Sequence, residues 1–222
     1  MNVTVYGDSI LKGVLLENGK YVVDHTWEDK LTKRFGIRLT NRSRFGVTLP
    51  KAMARIERDS AAPCEGEEYA LLEFGGNDCD FDWAAISDAP ESEHECKTPP
   101  ALFLDCYRRA IRLLRAAGRT PVLATLPPIN SELYLSFLCR GGLSRQNIVR
   151  WLGDVERIYR WQESYSTMAE RLAREEATPL VDLRRPFLQD ARPPAQILCA
   201  EGIHPSRLGQ GLLYQAFCAA MP

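Results

Sequence analysis

The chain has 222 residues, enough for one domain of ordinary to large size with a single hydrophobic core. Hydrophobic residues make up 45% and charged residues 26% of it, which is typical of a globular protein and argues against a disordered or membrane-spanning chain. The formal net charge of −1 gives no basis for binding to nucleic acid or to an anionic membrane. We therefore expect a single domain over residues 1–222 with neither of these partners.

The amino terminus and the cysteines predict a cytoplasmic protein. The first residues, 1–6, lack the basic and apolar segments of a signal peptide. No window approaches the ~18 apolar residues of a membrane span. The seven cysteines are odd in number and form no C-x-x-C pair, which favours reduced thiols over disulfides or a zinc knuckle.

The first half of the chain predicts an alternation of strands and helices. Residues 2–6 form a β-rich run, and 37–41 predict a short second strand. The almost wholly apolar run 69–74 predicts a third strand, covered on both faces of a sheet. Acidic residues early in segment 26–35, and a proline near the start of segment 49–58, are typical of helix N-termini.

The second half continues this alternation around two stretches without a regular pattern. Residues 79–100 and 129–142 are predicted to be irregular. The other segments predict a helix at 101–117, a strand at 120–126, a helical region at 144–176 with a candidate break at Gly153, a strand at 180–183 and a helix at 206–219.

Five strands alternating with helices predict an α/β fold, a three-layer α/β/α sandwich around a five-stranded parallel sheet. In such sheets ligands bind beyond the carboxyl ends of the strands, at a switch in strand order. Ser9, Gly46 and Asn77 follow the first three predicted strands, and His204 follows the fifth. We therefore expect these four residues to meet at one edge of the sheet.

Ser9 and His204 are candidate partners in nucleophilic catalysis. Ser9 lies in Gly7-Asp8-Ser9 at a predicted strand-to-helix turn, where a helix start would stabilise developing negative charge. A serine hydroxyl needs an adjacent base, and His204 is one of three histidines in the sequence. Glu201 lies three residues earlier, so its carboxylate can hold one imidazole nitrogen while the other nitrogen faces Ser9.

Three groups are candidate donors to an oxyanion. Gly46 has no side chain, so its backbone N–H can approach a ligand closely. Asn77, in Gly75-Gly76-Asn77-Asp78, offers a side-chain amide just after a sharp turn. With the backbone N–H of Ser9, these groups give three hydrogen-bond donors for a tetrahedral intermediate.

Four segments together resemble the SGNH (GDSL-type) hydrolase family: Gly7-Asp8-Ser9, Gly46, Gly75-Gly76-Asn77-Asp78 and Glu201-Gly202-Ile203-His204-Pro205. The resemblance runs from residue 3 to about residue 209 and implies a flavodoxin-like sandwich. It also implies a hydrolase of small-molecule carboxylic esters that forms an acyl-enzyme at Ser9, with no metal and no cofactor. Asp8 would hold the serine loop. The family usually has aspartate where this chain has Glu201, which would take over the role of orienting acid.

Two stretches are candidates for substrate selection. Trp83, in the acidic stretch 79–100, could stack on a sugar ring, line an acyl pocket or belong to the core. Tyr134 and Phe137, in the stretch 129–142, could form part of an apolar lid. These three residues are the predicted substrate-binding residues. Polar loops, and the lack of a long apolar groove in the sequence, favour a short acyl group such as an acetyl ester of a carbohydrate.

Other functions stay open at this point. A lysophospholipase or thioesterase acting on longer acyl chains would use the same residues. Because Glu201 departs from the family pattern, the domain could instead be a catalytically inactive ligand-binding module. A flavin-binding protein is disfavoured because the loop at Asp8 suits a phosphate poorly. His94 has no second histidine nearby with which to form a metal site.

Overall fold

The structure is a computed structural model that describes residues 1–64 and 66–221. Its strands are β1 (Asn2–Gly7), β2 (Val14–Glu17), β3 (Lys20–Val23), β4 (Arg38–Asn41), β5 (Glu68–Glu73), β6 (Thr120–Ala124) and β7 (Leu180–Val181). Its helices are α1 (Thr26–Phe35), α2 (Leu49–Ser60), α3 (Trp83–Asp88), α4 (Pro100–Ala116), α5 (Ser131–Arg140), α6 (Arg145–Leu152), α7 (Arg157–Glu175), α8 (Arg184–Gln189), α9 (Pro194–Ile197) and α10 (Arg207–Ala220). Within these residues, no helix combines the length and apolar character needed to cross a bilayer.

Five strands form one parallel sheet in the order β4-β1-β5-β6-β7. Numbered along the chain as five sheet strands, this is the flavodoxin-like order 2-1-3-4-5. The predicted five-stranded parallel sheet is therefore confirmed. The strand order switches between β1 and β5, so ligands are expected beyond the carboxyl ends of these two strands.

Helices cover both faces of the sheet, which confirms the predicted three layers. Side chains alternate along β5: Ala70 and Leu72 pack with α2, α4 and α7, whereas Leu71 packs with α1 and α10. On the second face Trp27 of α1 stacks on Phe217 of α10, with ring centroids 4.9 Å apart. Each large apolar side chain buried in this way stabilises the fold by about 1.5–3 kcal/mol. The two cores hold the strand ends in fixed positions.

A third apolar cluster joins α3, α5 and α6, and includes Trp83, Leu135 and Ile148. Two of these helices lie in the stretches 79–100 and 129–142, so the prediction of irregular structure was wrong for residues 83–88 and 131–140. Each of the two begins at a side-chain cap. Asp82 accepts a hydrogen bond from the N–H of Ala85, and Asn130 accepts one from the N–H of Leu133.

The segment after Ser9 forms a β-hairpin, and the predicted helix start at this position is wrong. Residues 9–13 form turns in which the N–H of Val14 donates to the carbonyl of Ser9 at 3.0 Å. β2 and β3 then pair antiparallel around Asn18 and Gly19, whose φ angles are 51° and 75°. Positive φ at both central residues is typical of a type I′ hairpin turn. No helix dipole therefore acts on Ser9 from this segment.

The C-terminal third agrees more closely with the prediction. The helical region 144–176 consists of α6 and α7, which are separated at Gly153, where φ is 76°. Helix α10 begins directly after Ser206, whose hydroxyl accepts a hydrogen bond from the N–H of Gly209. This cap fixes the start of α10, and the capping residue lies two residues beyond His204.

Candidate active site

Ser9 lies on the turn that follows the carboxyl end of β1 and is 8% exposed. The neighbouring carboxylate of Asp8 accepts the N–H of Ile10 at 2.8 Å and the Nδ2–H of Asn77 at 2.9 Å. The first of these hydrogen bonds shapes the serine turn. The second ties that turn to the segment after β5, so two neighbouring strand ends are joined at the switch point of the sheet.

His204 lies on a tight loop that leads into α10. The N–H of Cys199 donates to the carbonyl of His204 at 2.7 Å, and the N–H of Asn130 donates to the carbonyl of Gly202 at 2.8 Å. Gly202 has a φ of 75°, and a Cβ at this position would lie 2.6 Å from the Cβ of Leu133. Glycine is required here because both the backbone angle and the close approach exclude a side chain. The loop is thus clamped against the start of α5.

Ser9, His204 and Glu201 form a continuous chain of hydrogen bonds. Nε2 of His204 lies 2.9 Å from Oγ of Ser9, and Nδ1 lies 2.5 Å from Oε1 of Glu201. Glu201 is fully buried, and His204 is 3% exposed. If Nδ1–H is donated to the carboxylate, Nε2 is left as the acceptor for the serine hydroxyl. The structure therefore brings the three predicted catalytic residues together, and Glu201 reaches the imidazole directly.

The predicted oxyanion donors occupy different positions relative to Ser9. Asn77 lines the same cavity as Ser9, and one of its two amide hydrogens remains after the bond to Asp8. Gly46 has a φ of 68° and lines a separate pocket with Gly7 and Phe45. The structure thus brings Asn77 to the cavity of Ser9 and leaves Gly46 outside its lining.

Three buried carboxyl groups lie behind the serine turn: Asp8, Glu73 and Asp78, each at most 1% exposed. Burial raises the pKa of Asp78 to about 6, even though the N–H of Leu49 donates to its Oδ1 at 2.9 Å. Burial and the negative charge of Asp8 raise the pKa of Glu73 well above its usual range. This part of the site therefore holds fewer negative charges at neutral pH than its composition suggests.

A cavity of about 340 Å³ opens beside Ser9 and His204. Most of its lining is apolar or aromatic and comes from the segments around α3, α5, α6 and α7: Phe81, Trp83, Leu126, Ile129, Tyr134, Trp151, Leu152, Ile158 and Trp161. A cavity of ~150 Å³ is enough for a benzene molecule. The cavity beside Ser9 therefore has room for an acyl chain of several methylenes or for a substituted ring.

The polar atoms of three of the lining aromatic residues, Trp83, Tyr134 and Trp161, are satisfied within the protein. Asp80 Oδ1 accepts the Nε1–H of Trp83 at 2.7 Å and the hydroxyl of Tyr134 at 3.1 Å. The Nε1–H of Trp161 donates to the carbonyl of Cys79 at 2.9 Å. A ligand in the cavity therefore meets mainly the carbon surface of these rings.

Of the three predicted substrate-binding residues, Trp83 and Tyr134 line this cavity, whereas Phe137 is half-buried on α5 and is not part of the lining. His94 also lines the cavity, and its Nε2 lies 2.9 Å from the carbonyl of Ala89. Among residues 1–64 and 66–221, no group of three or more His, Cys, Asp or Glu side chains is arranged to hold a metal ion.

Two exposed aromatic rings that the sequence reasoning missed flank His204. The ring of Tyr21, on β3, lies 5.6 Å from the imidazole, and the ring of Phe45 lies 6.0 Å from it, both between centroids. Their exposed fractions are 46% and 52%. The Asn18-Gly19 pair is a hairpin signal that would have identified β3 and its position next to the serine turn.

A flavodoxin-like sheet that carries a serine, a histidine and a carboxylate in one hydrogen-bonded chain has the arrangement that serine-type hydrolases use. Residues 5–212 match the GDSL-like lipase/acylhydrolase family, and the chain belongs to this family. The predicted family is therefore confirmed, and with it the assignment of the chain as a hydrolase of ester bonds.

Solved structures of similar fold include a lipase/acylhydrolase from Enterococcus faecalis, 18% identical, with a TM-score of 0.64 over 98% of this chain and 93% of that chain. A catalytic mutant of Axe2, an acetylxylan esterase from Geobacillus stearothermophilus, is 18% identical, with a TM-score of 0.67 over 99% and 93% of the two chains. TesA is 19% identical, with a TM-score of 0.62 over 99% and 97%. No curated protein is significantly similar to the chain in sequence. At these identities the neighbours establish the SGNH hydrolase fold.

Proposed function

We propose that the chain hydrolyses carboxylic esters through an acyl-enzyme at Ser9. Nε2 of His204 takes the hydroxyl proton as Oγ attacks the ester carbonyl, and Glu201 stabilises the imidazolium that forms. His204 then protonates the leaving alcohol, and a water molecule repeats the sequence on the acyl-enzyme. The observation that carries this proposal is the unbroken chain from Ser9 Oγ to Glu201 Oε1, with distances of 2.9 and 2.5 Å.

Backbone and side-chain N–H groups near Ser9 would stabilise the tetrahedral intermediate. The N–H of Ser9 and the remaining amide hydrogen of Asn77 are the donors that the cavity supports best, because Asn77 lines it with Ser9. We retain the backbone N–H of Gly46 as a proposed third donor, because the preceding residue, Phe45, has its ring next to the imidazole of His204. Loss of one such donor typically lowers kcat by ~10²–10³-fold.

The cavity lining favours an apolar acyl group of medium length. The rings of Trp83, Tyr134 and Trp161 have satisfied polar atoms, so they offer a bound group apolar contact and no free donor for a sugar hydroxyl. The predicted preference for acetyl esters of carbohydrates depended on the absence of a long apolar groove in the sequence. The alternative of a lysophospholipase or thioesterase acting on longer acyl chains fits this lining better, whereas the likeness to an acetylxylan esterase supports the acetyl alternative.

The proposed reaction is tested by hydrolysis of p-nitrophenyl acetate, butyrate, octanoate and dodecanoate. Wild type, Ser9→Ala and Ser60→Ala are compared, because Ser60 lies at the far end of α2 and serves as a matched control. We expect activity in wild type and in Ser60→Ala, with a maximum at an intermediate chain length, and its loss in Ser9→Ala. A maximum of activity on the acetate ester would favour the alternative function, hydrolysis of acetyl esters of carbohydrates. Full activity in Ser9→Ala would contradict the serine mechanism.

An inactive ligand-binding domain is the second candidate, and the same panel separates it. It predicts that no ester is hydrolysed although the cavity still binds apolar ligands. The buried carboxylate on His204 disfavours this candidate, because a module without catalysis has no need of it. We further propose a cytoplasmic location, which the buried thiols of Cys79, Cys96 and Cys199 support.

A further inference from the structure

Glu73 is a buried carboxyl group that the proposed reaction does not use. It ends β5, directly opposite Gly7 in the parallel register with β1, and it is 0% exposed. A Cβ on Gly7 would lie 3.1 Å from Oε2 of Glu73, so the glycine leaves room for this carboxyl group under the serine turn. Its side chain also lines the cavity that contains Ser9 and Asn77.

No hydrogen bond of normal geometry reaches either carboxyl oxygen of Glu73 among the described residues. The groups that face it are Asp8 beyond β1, Asp78 beyond β5 and the hydroxyl of Tyr107 on α4. Asp8 directly follows Gly7, which lies opposite Glu73, and both its backbone N–H and its carboxyl group interact with Glu73. An ionised carboxylate in this place would be buried, without a counterion and next to other carboxyl groups, which is strongly unfavourable.

Asp8 differs from Glu73 because donors surround it. Its Oδ1 accepts from Ile10 at 2.8 Å and its Oδ2 from the amide of Asn77 at 2.9 Å. Burial raises the pKa of Asp8, whereas these hydrogen bonds and the nearby His204 lower it and so favour the ionised form. When two carboxyl groups share one proton, it resides on the group with fewer donors, which here is Glu73.

We propose that Glu73 is a protonated positioning residue, which donates its carboxyl O–H to the carboxylate of Asp8. It thereby keeps this carboxylate hydrogen-bonded to the backbone N–H of Ile10 and to the side-chain amide of Asn77. The pair then carries one negative charge, and its proton is not transferred to the substrate. Through Asp8, Glu73 would fix the turn of Ser9 and the amide of Asn77. Its effect on catalysis rests on the proposed function, whereas its protonation state does not.

Infrared spectroscopy tests the protonation state without any substrate. At about pH 8 the buried carboxyl group of Asp78, with its pKa of about 6, is ionised and does not contribute to the signal of an un-ionised acid. We expect wild type and Ser9→Ala to show the C=O stretching band of one un-ionised carboxylic acid, shifted in D₂O, and Glu73→Gln to lack it. Equal spectra of wild type and Glu73→Gln would overturn the proposal, whether or not the chain hydrolyses esters.

Kinetics of Glu73→Gln and Glu73→Leu test the positioning role. Glutamine is neutral and can donate its amide N–H to Asp8, whereas leucine is of similar size and has no donor. We expect kcat within about three-fold of wild type for Gln, and a fall of at least about ten-fold for Leu with little change in KM. Equal kcat values in the two variants would overturn the role. If Glu73→Leu does not fold, a large loss of kcat in folded Glu73→Gln would likewise overturn the positioning role.

Discussion

Nε2 of His204 lies 2.9 Å from Oγ of Ser9, although 195 positions separate the two residues in the chain. The sheet explains this proximity: Ser9 leaves the carboxyl end of β1, and the His204 loop is held beside it by contacts with the hairpin and with α5. The N–H of Leu16 on β2 points to the sulfur of Cys199 at 3.3 Å, and the N–H of Asn130 donates to the carbonyl of Gly202. Serine and imidazole are thus brought to hydrogen-bonding distance by two anchored loops.

The role of Glu201 predicts different activities for two conservative variants. Glu201→Gln removes the charge that stabilises the imidazolium, and we expect kcat to fall by about 10²–10⁴-fold. Glu201→Asp keeps the charge but retracts it, so we expect a loss of only about ten-fold. Steady-state kinetics on one p-nitrophenyl ester measure both values. Equal kcat in the Asp and Gln variants would show that the carboxylate charge has no role.

Gly202, in the His204 loop, should not tolerate replacement by a larger residue. Gly202→Ala adds a methyl group 2.6 Å from the Cβ of Leu133 at a positive φ, and we expect a loss of about 2–4 kcal/mol in the free energy of unfolding. Gly36→Ala is the matched control, because φ is also positive there but the added Cβ meets open space. Its expected loss is about 1 kcal/mol. Urea unfolding of the two variants measures the difference, and equal losses would refute the role of the close contact.

The cavity should select the acyl chain. Ile158→Trp fills it, so we expect the ratio of kcat/KM for octanoate to that for acetate to fall by at least about ten-fold. Phe137→Trp places the same side chain on α5 outside the lining and should leave the ratio unchanged. Ester kinetics on purified, folded variants provide the measurement. An unchanged ratio in Ile158→Trp would mean that the acyl chain does not bind in this cavity.

Asp78 should make stability fall as the pH rises. Its pKa is about 6 in the folded chain and near 3.8 when unperturbed, so the native state holds the proton more tightly. The stabilisation is complete below about pH 4 and is lost as the pH rises through about 6, a change of about 3 kcal/mol. Asp78→Asn retains an acceptor for the N–H of Leu49 and lacks this dependence. Unfolding curves of wild type and Asp78→Asn that stay parallel between about pH 4 and pH 8 would contradict the shifted pKa.

The sheet and the positions of the main site residues were predictable because both depend on short-range patterns. An apolar run such as 69–74 predicts a covered strand, and residues that follow parallel strands must lie at one edge of the sheet. The sequence thus placed Ser9, Asn77 and His204 at the same edge. It could not establish that Glu201 reaches the imidazole, because this depends on the loop closed by Gly202 against α5.

The cavity was not predictable because its walls come from segments that lie far apart in the chain. Trp83, Trp151 and Trp161 meet only after α3, α6 and α7 have packed, and α3 lies in a polar stretch that carries no clear helical periodicity. Glu73 was counted as part of an apolar strand. Its position opposite Gly7 follows from the register of β1 and β5, which tertiary pairing decides.

Labelling with a fluorophosphonate probe tests the central claim most directly, because the probe phosphonylates a serine only where a base activates it. Mass spectrometry of the digested protein should locate one adduct on Ser9 in wild type and in Ser60→Ala, and none in Ser9→Ala or His204→Ala. An unmodified Ser9 in the folded wild type, or equal labelling of Ser9→Ala, would contradict the account.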